Sequence, residues 1–187
     1  MGFSTVSDKR MKRYDKGSVH GRFQPLHNGH LRYILSAKER CNFLWVGVTQ
    51  YNIHNLLETP QDPHRQEQIH NPLTFHERLE MITKVLLDNG LALNEFDSIP
   101  FPIETPDCLP DFLPISVPIF TTICEPWNKY QIDALRKIGY EVLVLWEESV
   151  KIIDGITVRR LIYAGDEAWK LRWSPNFGQV VKRGFCS

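Results

Sequence analysis

The stretch Gly21-Arg22-Phe23-Gln24-Pro25-Leu26-His27-Asn28-Gly29-His30 decides how this chain is read. Before it, Gly17 to Phe23 (GSVHGRF) has the pattern of a short strand running into a glycine turn. After it, Gly29 to Arg40 reads as a helix, with Leu31, Ile34, Leu35 and Lys38 at i, i+3, i+4 and i+7. A turn between a first strand and a first helix is where an open α/β fold binds phosphate. Gly21 permits a tight exit from the strand, and Arg22 offers a planar fork of donors. Phe23 and Gln24 continue the turn, and Pro25 stiffens it. Gly29 lets the backbone approach a ligand at the start of the helix, where unpaired N–H groups favour anions. His27 and His30 can present both imidazoles toward one point. There they can donate to phosphate oxygens and stabilise charge that builds during in-line displacement, with no protein nucleophile required.

Outward from this turn, strand-like and helix-like segments alternate. Asn42–Gln50 is an apolar run of strand length. Tyr51 to Asn71 has no clear period, which suggests a lid or binding loop carrying His54, His64 and His70. Pro72–Asp88 reads as a helix opened by a Thr74/Glu77 capping box. Glu95–Pro118 holds half of the twelve prolines, so it starts as a strand near Phe96–Phe101 and continues as a structured loop. Val117–Ile123 is a strand, Trp127–Ile138 a helix, Tyr140–Trp146 a strand and Gly155–Ala164 a last helix. This order predicts an α/β fold: a Rossmann-like, doubly wound parallel sheet in a single domain spanning 16–187. Residues 1–15, with Lys9, Arg10, Lys12 and Arg13, read as a flexible, solvated arm.

Composition narrows the function classes. The 187 residues are 42% hydrophobic and 24% charged, enough for one packed core and unlike a disordered or fibrous chain. Lys+Arg and Asp+Glu both number 22, so no global basic field recruits nucleic acid or an anionic membrane. No apolar run reaches the ~18 residues that span a bilayer, and the polar start lacks a secretory h-region. The four cysteines show no C-x-x-C spacing, as expected of free thiols in a reducing cytoplasm.

The G-R-F-Q-P-x-H-x-G-H segment resembles the H-x-G-H signature of the nucleotidylyltransferase superfamily. More narrowly, it is similar to the archaeal-type nicotinamide mononucleotide (NMN) adenylyltransferases. Asn71-Pro72-Leu73-Thr74-Phe75-His76-Glu77-Arg78 resembles the family's N-P-F-T-x-x-E-R helix opening. Gly139–Val142, Ile153–Arg159 and Gly165–Trp169 resemble its later motifs, in order, over most of the chain. The resemblance implies nucleotidyl transfer: an acceptor phosphate attacks the α-phosphorus of a nucleoside triphosphate, and Mg²⁺-pyrophosphate leaves. It implies that His27 and His30 hold the triphosphate, that Arg159 clamps the β/γ-phosphates, and that Arg22 lines the phosphate site. It also brings in Asn71 and Arg78 as acceptor-side residues; read from the residues alone, these are equally an N-cap and a helix-surface arginine. The expected partners are a nucleoside triphosphate and a small phosphorylated acceptor, in an enzyme that is a candidate homo-oligomer.

Several positions depart from the family pattern. Asp154 stands where the family has Ser, and reads either as a helix N-cap or as a ligand of a metal. Ile156 replaces Thr, and Thr157 next to it recovers a hydroxyl for the phosphates after a one-residue slip. The family's nicotinamide-stacking Trp has no counterpart in Ile103–Ile119; Phe101, Phe112 and Phe120 are the aromatics on offer. Ile123-Cys124-Glu125-Pro126 replaces Ser-Gly-Asn-Pro, a segment that the resemblance places near the nucleotide base and the acceptor, with Glu125 as an acceptor-binding candidate. The leading expectation is adenylyl transfer from ATP to NMN, giving NAD. The altered segments motivate an alternative, CTP with a small phosphate- or phosphonate-bearing metabolite. A second alternative is a non-catalytic nucleotide-sensing module.

Overall fold

A computed structural model describes residues 14–57, 67, 70–148, 155–166 and 168. Five strands are joined by helices: β1 (Tyr14–Gly21), α1 (Asn28–Lys38), β2 (Cys41–Val48), α2 (Phe75–Asp88), β3 (Phe96–Pro100), β4 (Ile119–Ile123), α3 (Trp127–Lys137), β5 (Val142–Glu147) and α4 (Gly155–Tyr163). The strands are all parallel and lie in the order β3-β2-β1-β4-β5. The order reverses between β1 and β4, which puts the crevice at the carboxyl ends of those two strands. This is the expected Rossmann-like sheet with helices around it.

Strand alternation divides the core in two. Leu44, Val46 and Val48 of β2 join Val19 and Phe120 in a cluster with α1, α2 and Val158 of α4. Trp45, Ile99 and Ile119 face a second cluster built from α3 and the β3–β4 connection. Helix α2 starts where its cap predicts: Thr74 Oγ1 accepts from Glu77 N at 3.2 Å, and Glu77 Oε2 accepts from Thr74 N at 2.7 Å. The reciprocal pair satisfies two N-terminal donors that the helix itself leaves orphaned.

One expectation changes here. Tyr14 and Asp15 belong to β1, with Tyr14 in register with Cys41, so the sheet claims residues assigned to the arm. The rest of that arm, Asp154, His64 and the chain beyond Ala168 lie outside the described residues. The proline-dense connection is a structured loop, as its prolines imply. It forms a 3-10 turn at Pro106–Asp111 and buries Phe101, Ile103, Leu109, Leu113 and Val117 in the second cluster.

Candidate active site

The β1–α1 turn is shaped by packing. Phe23 takes a left-handed backbone conformation (φ 51°) and is fully buried. A Cβ on Gly21 would come within 2.9 Å of the Phe23 ring, so glycine there makes room for a side chain rather than supplying a positive φ. A Cβ on Gly29 would meet the His27 ring at 3.1 Å, so this glycine also gives space to a neighbour.

His27 is the N-cap of α1. Its Nδ1 accepts from His30 N at 3.4 Å, which leaves Nε2 as the protonated donor of the neutral ring. The two imidazoles stack with centroids 3.8 Å apart, and Phe23 packs edge-on against His30. The pair therefore stands at the positive end of the α1 dipole, at one end of a cavity of about 430 Å³. Arg22 and Arg159 line the same end. Arg159 is 4% exposed; its Nη1 donates to Gln24 O at 2.5 Å, and its Nη2 lies 3.3 Å from His70 Nδ1.

Behind this end sits Arg78, fully buried. It donates to four carbonyls: Thr74 at 3.3 Å, Arg22 at 3.0 Å, Thr49 at 2.8 Å and Gln50 at 2.9 Å. Burial first, and Arg22 second, push its pKa down to about 10, partly offset by Glu104, so it is a cation at neutral pH. Arg78 is thus buried rather than a helix-surface residue, and its fork braces the ends of β1 and β2. Thr49, at the end of β2, lines the cavity with its Oγ1 buried and without a hydrogen-bond partner among the described residues.

The opposite end of the cavity is aromatic and acidic. Thr121, Cys124, Glu125, Trp127, Trp146 and Glu148 line it from the ends of β4 and β5 and the start of α3. Arg32 of α1 holds its guanidinium 4.6 Å from the Trp146 ring centroid and pairs with Glu148 at 2.9 Å. Tyr33, whose pKa burial raises, stays a neutral phenol donating to Phe120 O at 2.6 Å.

Of the residues expected in the site, Gly21, Arg22, Phe23, Gln24, His27, Gly29, His30, Glu125 and Arg159 come together around the cavity. The Gln24 side chain is nevertheless committed to Leu73, donating to its carbonyl at 2.7 Å and accepting from its N–H at 2.9 Å, so Gln24 meets the cavity through backbone. Thr157 does not line the cavity. Asn71 does not cap α2; its Nδ2 donates to Glu67 O at 2.9 Å. Phe101 and Phe120 are fully buried core, and Phe112 is exposed, outside the cavity, with its ring 6.2 Å from Tyr51. The expected aromatic stack for nicotinamide is absent from these three residues because packing has consumed two and left the third outside. Of the lid histidines, His70 joins the site through Arg159, while His54 is exposed.

Thr49, Arg32, Trp127 and Trp146 were not expected in the site. Thr49 follows the end of β2 and Trp146 lies in β5, so the rule that ligands bind beyond carboxyl strand ends was the available signal. Among the described residues no group of three His, Cys, Asp or Glu side chains is placed to hold a metal ion. A Mg²⁺ fits this chain as an ion carried on the triphosphate itself, as is usual for magnesium at nucleotide sites. No helix among the described residues is long and apolar enough to cross a membrane.

Residues 19–170 match the model of the cytidylyltransferase-like family. A phosphonoformate cytidylyltransferase of Streptomyces viridochromogenes is 36% identical over 89% of this chain and 90% of its own length. A nicotinamide-nucleotide adenylyltransferase of Methanocorpusculum labreanum is 31% identical over 83% of each chain. Among solved structures, a bifunctional NMN adenylyltransferase/ADP-ribose pyrophosphatase of Francisella tularensis, complexed with AMP and a Mn ion, shares the fold. Its TM-score is 0.64 at 19% identity, over 92% of this chain and about half (52%) of that longer one.

Proposed function

This chain belongs to the cytidylyltransferase-like family and is a nucleotidyltransferase, and we propose that it moves CMP from CTP to a small phosphonate- or phosphate-bearing acceptor. The observation that carries the choice of acceptor is the closure of the β3 side. Phe101 stacks on His20 with ring centroids 4.6 Å apart and an interplanar angle of 7°. Behind it, Ile103, Leu109 and Leu113 are packed as core, so these side chains are not available to line a nicotinamide site, which supports a smaller acceptor. What remains beside the phosphate end is Arg22 and the buried hydroxyl of Thr49, a set suited to a compact anion. The 36% identity to a phosphonoformate cytidylyltransferase supports the same reading.

In the proposed reaction His27, His30, Arg159 and the N-terminus of α1 hold the triphosphate. Arg22 and Thr49 orient the acceptor, one of whose phosphoryl or phosphonyl oxygens attacks the α-phosphorus. The bond between the α-phosphorus and the bridging oxygen breaks, pyrophosphate leaves, and a new P–O–P anhydride joins CMP to the acceptor. Any proton on the attacking oxygen passes to water or to the leaving group. Bound Mg²⁺ would neutralise charge on the departing pyrophosphate. The protein's contribution is positioning and fixed positive potential, from groups that are already oriented before the reaction. His27 and His30 donate to oxygens that gain charge in the transition state.

Adenylyl transfer to NMN is the second reading, favoured by the turn motif and by relatives such as the 31% identical nicotinamide-nucleotide adenylyltransferase. Pyrophosphate release separates the two when CTP and ATP are each tested with phosphonoformate and with NMN in the presence of Mg²⁺. Release with CTP plus phosphonoformate is the expected result. Release only with ATP plus NMN overturns the proposal in favour of NAD synthesis. Tight nucleotide binding without turnover for any acceptor would point instead to a sensing module.

A further inference from the structure

We infer that Glu125 and Asn128 read the nucleobase, and that they select bases carrying an exocyclic amino group beside a ring acceptor. The inference rests on the transferase reading only in taking a nucleoside triphosphate as the ligand. Charge orients that ligand in the cavity. Arg22, Arg159 and the α1 N-terminus make one end the phosphate end, and the tryptophans at the other make it the base end. Of the two neighbours that the sequence gives Glu125, base and acceptor, this orientation favours the base.

The base end is ordered by a compact set of bonds at the start of α3. Asn128 Oδ1 accepts from two main-chain N–H groups, those of Cys124 at 3.0 Å and Glu125 at 2.9 Å. Main-chain N–H groups can only donate, so this amide must present its oxygen to them and keep its Nδ2 as a donor. The Glu125 carboxylate is steadied by the Trp127 indole N–H, which donates to its Oε2. A carboxylate has lone pairs for several further donors. Both residues line the cavity.

One fixed acceptor beside one fixed donor is the complement of an amino group next to a ring nitrogen acceptor. Cytosine presents N4–H₂ beside N3, and adenine presents N6–H₂ beside N1. Uracil at O4 and N3, and guanine at O6 and N1, reverse both polarities, offering a carbonyl oxygen to a carboxylate and an N–H to an amide donor. A site built on hydrogen bonds rejects the reversed edge strongly, because its own polar groups are left unpaired. This supplies base selection that the phosphate end cannot, since triphosphates are alike in every nucleotide.

Isothermal titration of the full chain with CTP, ATP, UTP and GTP, with Mg²⁺ and without acceptor, tests the inference. CTP should bind roughly tenfold or more tightly than UTP, and ATP more tightly than GTP. Glu125→Gln can turn its amide to donate to O4 of uracil, so it should bring CTP and UTP within about threefold. Glu125→Ala should weaken CTP without improving UTP. Circular dichroism verifies that both variants are folded. Equal affinities for CTP and UTP in the natural protein, or an unchanged preference in a folded Glu125→Gln variant, would overturn the inference. In either case pyrophosphate release would leave the transferase reading standing. Absence of binding by any triphosphate would overturn both.

Discussion

The β1–α1 turn and the β3–β4 connection both leave the carboxyl edge of the sheet, and they put their aromatic residues to opposite uses. In the turn, Phe23 is buried so that His27 and His30 stand stacked at the cavity. In the connection, Phe101, Ile103, Leu109 and Leu113 all turn inward, and Phe101 closes against His20. The close approach of Phe101 is built into the sheet. A Cβ on Gly47 would lie 2.4 Å from its ring, so β2 carries a glycine where that ring presses. One connection spends its apolar groups to present polar ones, and the other spends them on the core. A position beyond a strand end thus makes a residue available for function, and packing decides whether it is used.

This contrast predicts that the two regions fail in different ways. Phe101→Ala should cost about 4 kcal/mol of stability, the range for a buried phenylalanine, read from urea unfolding. Loss of nucleotidyl transfer at unchanged stability would break the contrast, because Phe101 would then belong to the site. His30→Ala should lower kcat by about 10²–10³ with under about 1 kcal/mol lost on unfolding. A variant that unfolds but turns over normally per folded molecule would count against its placement among the triphosphate contacts. A smaller effect concerns Tyr140, whose hydroxyl donates to Leu113 O and ties the connection to α3 and β5. Burial holds its pKa up at about 12, against 10 in the unfolded chain. The unfolded state alone ionises between those values, so stability should be full below pH 10 and fall as pH rises toward 12. Tyr140→Phe should remove that fall, and an identical pH profile in the variant would contradict the assignment. The smallest change expected is Thr74→Ala, about 1 kcal/mol from loss of the α2 cap, with kcat unaltered.

Much of the fold was legible because its signals are local. The alternation of apolar runs, the Thr74–Glu77 box and the glycine-rich turn each depend on residues a few positions apart, and the order of elements came out as they imply. The turn lines the cavity, as its position between β1 and α1 implies, although its glycines make room for Phe23 and His27. Arg78 was misread because its partners, the carbonyls of Arg22, Thr49 and Gln50, come from other segments. Gln24 was misread for the same reason, its amide pairing with Leu73, 49 residues along the chain. Arg32, Trp127 and Trp146 were missed because this part of the lining joins the ends of β4 and β5 to α1.

By itself the sequence determined a parallel α/β sheet with an anion-binding turn after its first strand, since periodicity, capping and turn chemistry act over a few residues. Only the tertiary structure decided which arginine faces the cavity and which braces the backbone. It also decided that the apolar side chains of the proline-rich connection are core, and that Thr49 and Glu125 line one cleft. Those outcomes depend on competition for buried space and for main-chain carbonyls among segments far apart in the chain, and that competition exists only once the sheet has assembled.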